Sequence, residues 1–180
     1  VIPVYLNPSD QSLAERIGIL RISKAKGPPQ WAYKDGRTGM QTHIIGAMAE
    51  LAFCRAFGLT WPASEGTGRR EPDVYPRWEV RWAGRPLLKV ATNDPPERLC
   101  ALVMGKPPRF EVMGYAVAGW AQRTKPLKDP NKRNKPAHFV ELRELVPIDP
   151  GFHDICPMEL DDWGLFSCIV CGRESTYAPA

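Results

Sequence analysis

Five residues carry the chemistry that this chain offers most directly: Glu50, Asp73, Glu79, Arg81 and Lys89. Glu50 lies in TGMQTHIIGAMAELAFCRAF (38–57), a stretch otherwise dominated by Ala, Met, Leu and Ile. Ionised carboxylates are seldom buried without a partner, so its presence there needs a reason. Asp73 follows Pro72, and Glu79 and Arg81 alternate with Trp78, Val80 and Trp82. Carboxylates that converge beside cations suit a hard divalent ion, which prefers oxygen ligands. Such an ion lowers the pKa of a bound water and steadies charge on phosphoryl oxygens, while a neighbouring cation stabilises the transition state. The chemistry served is metal-assisted hydrolysis of a phosphodiester. A structural alternative is a plain ion pair from Glu50 to Arg81 or Lys89.

Positioning these groups requires particular elements. Residues 38–57 read as a largely buried helix stopped by Gly58, with Glu50 on a line with His43, Gly46, Cys54 and Phe57. Residues 9–26 read as an amphipathic helix capped by Ser9 or Asp10, its stripe supplied by Leu13, Ile17, Leu20 and Ile22. Strands are expected at 72–75, 77–83 and 86–91, the last two joined at Gly84-Arg85 as a hairpin. That hairpin would set Glu79 opposite Lys89 and bring Glu79, Arg81 and Lys89 onto one face, with Val80, Leu88 and Val90 turned to the core. Two more strands, 99–104 and 110–118, flank a Gly-Lys-Pro-Pro turn, and 138–145 reads as a last strand or short helix.

The order of these motifs resembles the PD-(D/E)xK nuclease superfamily, in which a helix with an acidic residue precedes a hairpin carrying Asp and then Glu-x-Lys. Gly46-Ala47-Met48-Ala49-Glu50 resembles the helix motif, Pro72-Asp73 the first part of the strand motif, and Glu79-Val80-Arg81 the second. The layout is also similar to small bacteriophage and prophage proteins of this kind. The resemblance covers roughly 38–118. It implies an α/β fold with a restriction endonuclease-like core, a central mixed sheet flanked by helices, and Mg²⁺ or Mn²⁺ held by Glu50, Asp73 and Glu79. The implied activity is that of a DNA nuclease; restriction-type enzymes are often dimers, so a homodimer is consistent with it. One departure is Arg81 in place of the family's lysine. Arginine stays protonated and cannot act as a base, so Lys89 is the expected substitute amine. If neither serves, a non-catalytic DNA-binding module of the same fold is the alternative.

The C-terminal segment is of another kind. His153, Cys156, Cys168 and Cys171 have the spacing of a small structural zinc site, the Cys-x-x-Cys-Gly turn setting two thiolates at one corner of a tetrahedron. Two domains are therefore expected: a nuclease-like domain at 1–146 and a zinc-binding tail at 147–180. A zinc-stabilised structural or interaction protein of a phage is a third reading. Cys54 and Cys100 sit in apolar surroundings and read as buried thiols, which favours a reducing compartment over a secreted disulfide framework.

Composition bounds the rest. The 180 residues carry a formal charge of +4, and 43% are hydrophobic, ordinary for a globular protein. The basic residues concentrate in AQRTKPLKDPNKRNK (121–135), where Arg123, Lys125, Lys128, Lys132, Arg133 and Lys135 face a single acid, Asp129. Such a segment suits a polyanion and is expected to contact DNA phosphates, as a flap over the cleft. No apolar run of the roughly 18 residues that a membrane helix needs is present, and no signal peptide is visible. The expected location is cytoplasmic, with action in a host cell if the protein is phage-encoded.

Overall fold

The computed structural model describes residues 1–24, 39–63, 71–74, 76–129 and 136–148, and the backbone of three short strands beyond them. The chain divides into two units, Val1–Ile148 and Asp149–Ala180.

The first unit is α/β. Strand β1 (Ile2–Tyr5) leads into helix α1 (Pro8–Lys24), followed by helix α2 (Gly39–Phe57). The cap of α1 is Asn7, not Ser9 or Asp10: its Oδ1 accepts the Asp10 amide at 2.9 Å and the Ser9 hydroxyl at 2.6 Å. Pro8 then occupies the first helical position, where its missing N–H costs nothing. The buried face of α1 is also not the expected apolar stripe. Asp10, Ala14 and Gly18 are buried, whereas Leu13 and Leu20 are exposed. The reason is close helix–helix contact: a Cβ on Gly18 would lie 2.6 Å from the Ile44 Cα of α2. Only small residues fit there, so the larger ones turn outward. At the far end Arg55 of α2 donates to Asp10 at 2.6 Å. Helix α2 is buried from Ala47 to Cys54 and ends at Gly58, whose φ of +62° is the left-handed stop expected of it.

Four strands make a mixed sheet in the order β1-β5-β4-β2, with β2 spanning Trp78–Trp82, β4 Leu99–Lys106 and β5 Arg109–Val117. The β4–β5 hairpin forms where the Gly-Lys-Pro-Pro turn places it. The expected hairpin about Gly84 does not form. Strand β2 pairs in parallel with β4, so Glu79 stands beside Cys100; β3 (Leu87–Ala91) pairs with β6 (Ala137–Glu141), and Lys89 stands opposite Phe139. The segment 72–75 contributes one antiparallel bridge, Val74 to Trp78, instead of a strand. A short 3-10 turn, Leu142–Glu144, follows β6.

Burial explains the change of partner. Leu88 and Val90 are wholly buried, and they pack with Cys100, Leu102, Ala116 and Val140 over the sheet face opposite α2. Leaving the sheet lets β3 cover that face, whereas a hairpin would have extended the sheet and left the face bare. Helix α3 (Ala118–Thr124), which the sequence pattern did not announce, adds Ala118 and Ala121 to the same core. On the other face Trp78 meets Phe53 of α2 at 5.0 Å and Tyr115 at 5.4 Å.

In the second unit β7 (Met158–Leu160), β8 (Leu165–Cys168) and β9 (Glu174–Thr176) form an antiparallel meander, more regular than the sequence pattern implied. His153, Cys156 and Cys171 lie outside the described residues, as does the Cys168 side chain, so the expected zinc site does too.

Candidate functional site

The site forms around the edge strand β2. Neighbours in a parallel pair share a face, so Trp78 and Val80 look toward α2 while Glu79 and Arg81 look toward β3 and α3. Asp73 joins the two sides. Its Oδ2 accepts the Val80 amide at 3.0 Å, across the tight turn closed by reciprocal Val74–Trp78 backbone bonds of 3.0 and 2.9 Å.

On the helical side, Glu50 is 5% exposed. Arg21 of α1 donates to both of its oxygens, each at 2.6 Å, and the Trp61 indole N–H adds a bond of 3.3 Å. Bidentate guanidinium pairing of this kind is among the stronger polar contacts. Burial nevertheless raises the Glu50 pKa, with the Asp73 charge adding to it against the pull of Arg21. A Cβ on Gly46, one turn before Glu50, would meet no atom of the described residues within 4 Å.

On the other side, Glu79 is held by two arginines. Arg81 reaches Oε1 at 3.0 Å and Arg98 reaches Oε2 at 3.2 Å. Burial, then the Asp73 charge, push the Glu79 pKa up to about 7 against these cations. Burial likewise raises Asp73, while Arg81 and the Val80 amide pull it down. Arg81 also bonds Asp94 at 2.9 Å, and its Nε is buried without a hydrogen-bond partner among the described residues. Asp94 is itself fixed. Its Oδ2 accepts the Ala91 amide at 2.7 Å, and Gln122 of α3 donates to the carbonyls of Ala91 and Asp94.

Thus Glu79 and Arg81 pair on β2, Asp73 is fastened to that strand through the Val80 amide, and Glu50 lies on the helical side with Arg21; the Asp73 charge raises the pKa of both glutamates after burial. Lys89 does not join them: it is exposed on β3, in a different sheet. The cations present are Arg21, Arg81 and Arg98. Arg21 and Arg98 escaped the sequence reading, as did Asp94, because each meets its partner only through tertiary folding. Cys54 and Cys100 are buried free thiols, as expected, and burial pushes the Cys54 pKa up to about 12.

The donor chemistry suits a hard divalent ion. Four carboxylates (Glu50, Asp73, Glu79, Asp94) accompany three guanidiniums (Arg21, Arg81, Arg98), and burial is the leading cause of the raised pKa of Glu50, Asp73 and Glu79. The side chains as placed are not gathered to ligating distance: among the described residues no group of three His, Cys, Asp or Glu side chains could hold a metal. Glu50 and Glu79 lie to opposite sides of β2, and guanidiniums take their oxygens.

Of the basic residues, Arg123 closes α3 and is exposed, Lys125 pairs with Glu144, and Lys128 bridges Ala137 through its backbone. Lys132, Arg133 and Lys135 lie outside the described residues. No helix among the described residues is long and apolar enough to cross a membrane. Comparison with protein-family models, with curated proteins and with solved structures finds no match for this chain.

Proposed function

We propose that the first unit is a metal-dependent DNA nuclease centre of the PD-(D/E)xK type. The observation that carries this reading is the position of Asp73, pinned by the Val80 amide at 3.0 Å to the edge strand that bears Glu79. A buried helix carboxylate, an aspartate before the edge strand and a Glu-x-Arg on that strand follow one another in the family's order, with Arg81 in place of its lysine.

On this reading Glu50, Asp73 and Glu79 are the residues that would hold a Mg²⁺ or Mn²⁺ ion, and they would have to gather from their present places, where Arg21, Arg81 and Arg98 take the glutamate oxygens. The ion would supply an activated water and charge neutralisation at the phosphate. The protein's own contributions rest on arginine. Arg81 and Arg98 favour the ionised form of Glu79, and the Val80 amide does the same for Asp73. Arg81 acts by its charge and not as a base. Arg123 and Lys128, with Lys132, Arg133 and Lys135 in the same segment, would contact DNA phosphates.

The test is cleavage of plasmid and linear DNA in Mg²⁺ or Mn²⁺, with loss of activity in Asp73→Ala. No cleavage by the folded protein under either metal overturns the enzymatic reading. A second reading, a DNA-binding module that does not cut, is favoured by one observation: Arg81 is clamped between Glu79 and Asp94, and Lys89, the expected substitute amine, stands in a different sheet. DNA binding that needs no divalent metal and survives Glu79→Gln would establish that reading.

A further inference from the structure

We infer that the sheet face carrying Tyr5, Arg109 and Glu111 is an interface between two copies of this chain, packed face to face about a two-fold axis. It is independent of the metal chemistry proposed above, and either can fail without the other.

Among the described residues, the sheet face opposite α2 is covered only in part. Leu88, Val90 and Val140 pack over Cys100, Leu102 and Ala116, and Met104 lies at the border of that cover. Beyond it two rows run straight across β1, β5 and β4. Pro3, Glu111 and Met104 form one, and Tyr5, Arg109 and Lys106 form the next. Opposed residues share a face, as do alternate residues of a strand, so all six look the same way, while Phe110 between the rows is buried on the other side. Tyr5 is 65% exposed, and Pro3, Lys106, Arg109 and Glu111 are exposed with it. Among the described residues none of the three charged side chains has an ion pair or hydrogen bond.

The two rows complement each other, which is what a two-fold contact requires, since each residue there meets a partner that meets it in return. An axis laid across the strands between the rows sets β5 antiparallel over the partner's β5. Arg109 then faces the partner's Glu111, and Glu111 faces the partner's Arg109. Tyr5 lies over the partner's Pro3, and Lys106 over the partner's Met104. The same rotation carries the partner's cover past the Pro107-Pro108 turn, so the two covers do not collide. Tyr, Met and Arg are the residue types enriched where proteins meet. A phosphate polyanion suits this face less well, because Glu111 stands on its middle strand. Strand addition at the β1 edge is closed too. Leu6 donates to Pro108, so by alternation Ile2 and Val4 turn their backbone groups to β5 and Pro3 turns outward, where it has no N–H to offer.

The experiment measures the mass of the full-length protein by sedimentation over a micromolar concentration series, for the parent, Arg109→Glu and Glu111→Arg. The parent is expected to dimerise. Either reversal sets like charges in both copies of the contact and should weaken the dimer about tenfold or more. Both residues are exposed, so neither reversal threatens the fold. An equimolar mixture of the two variants restores both opposite-charge contacts and should recover a mixed dimer. A parent that stays monomeric overturns the inference, and if that monomer binds single-stranded DNA and loses affinity in Arg109→Ala, the face belongs to a nucleic acid instead. A dimer that both reversals leave intact overturns it as well, because the contact then lies elsewhere. Variants that lose the dimer and do not recover it on mixing overturn the pairing of Arg109 with the partner's Glu111.

Discussion

The backbone amide of Val80 donates to the Asp73 carboxylate at 3.0 Å, so the acid before the turn is fastened to the strand that carries Glu79. This bond spaces the two acids by backbone geometry, and the Asp73 charge raises the pKa of Glu79. Its pKa of about 7 has burial as the leading cause and Asp73 as the next.

A raised carboxyl pKa has a definite sign in stability. An unfolded glutamate loses its proton near pH 4.5, whereas folded Glu79 keeps it to about 7. Between those values the native state binds more protons, so stability falls as pH rises through this window and levels above it. The slope for one group is at most about 1.4 kcal/mol per pH unit. Urea unfolding at pH 5, 6, 7 and 8 should show this decline, and Glu79→Gln should flatten it. Metal affinity should run the other way, strengthening as pH rises past 7, because the ion competes with that proton.

Asp94 holds Arg81 in place, and its two oxygens do different work. Asp94→Ala removes both the Arg81 partner and the acceptor of the Ala91 amide, at a cost of about 1–3 kcal/mol. Asp94→Asn can keep the amide bond and should lose less. Chemical denaturation of the two variants measures the difference; equal losses would mean that the Ala91 turn is not held by this oxygen.

Gly18→Ala forces a Cβ to within 2.6 Å of the Ile44 Cα. The obstacle is backbone, so the helices must part, with a loss of about 1–3 kcal/mol. At roughly 2–4 °C per kcal/mol for a domain of this size, a thermal melt resolves the change. Ala14, one turn earlier and also buried, already carries a Cβ.

Arg123 and Lys128 are exposed, whereas Lys125 is engaged by Glu144. Replacing either Arg123 or Lys128 with Ala should lower the salt dependence of DNA affinity by about one phosphate contact, and Lys125→Ala should lower it less. Fluorescence anisotropy across a salt series reads these slopes. Lys89→Ala, remote in sheet pairing from Glu79, should leave Mn²⁺ affinity unchanged.

How much of this was legible in the sequence follows from how local each signal is. Glu50 was conspicuous because an acid in an apolar helix is a local anomaly, and its burial is as expected. The alternation of 78–82 also held, since Glu79 and Arg81 share a face and pair. Gly84-Arg85, in contrast, looked like a hairpin turn, and nothing nearby reveals that Leu88 and Val90 will pack against a strand some 50 residues further on. Arg21, Asp94 and Arg98 were invisible for the same reason. A surface-like arginine in α1 gives no sign that its partner is a buried glutamate in α2. The cap of α1 was misplaced by two or three residues because Asn7, Ser9 and Asp10 are all good caps, and Pro8 decides among them.

The parallel pairing of β2 with β4 also has a consequence in time. The chain between them must first be laid across the sheet, and its strand β3 finds a hydrogen-bonded neighbour only when Ala137–Glu141 has been made. During synthesis Glu50, Asp73 and Glu79 emerge early, yet the scaffold that aligns them is completed late. Contacts of this range are slow to form, and until they do an apolar strand lies open along both edges. The growing chain is therefore at greatest risk of sticking to its neighbours in the interval after Leu88 and Val90 appear and before Val140 arrives to cover them.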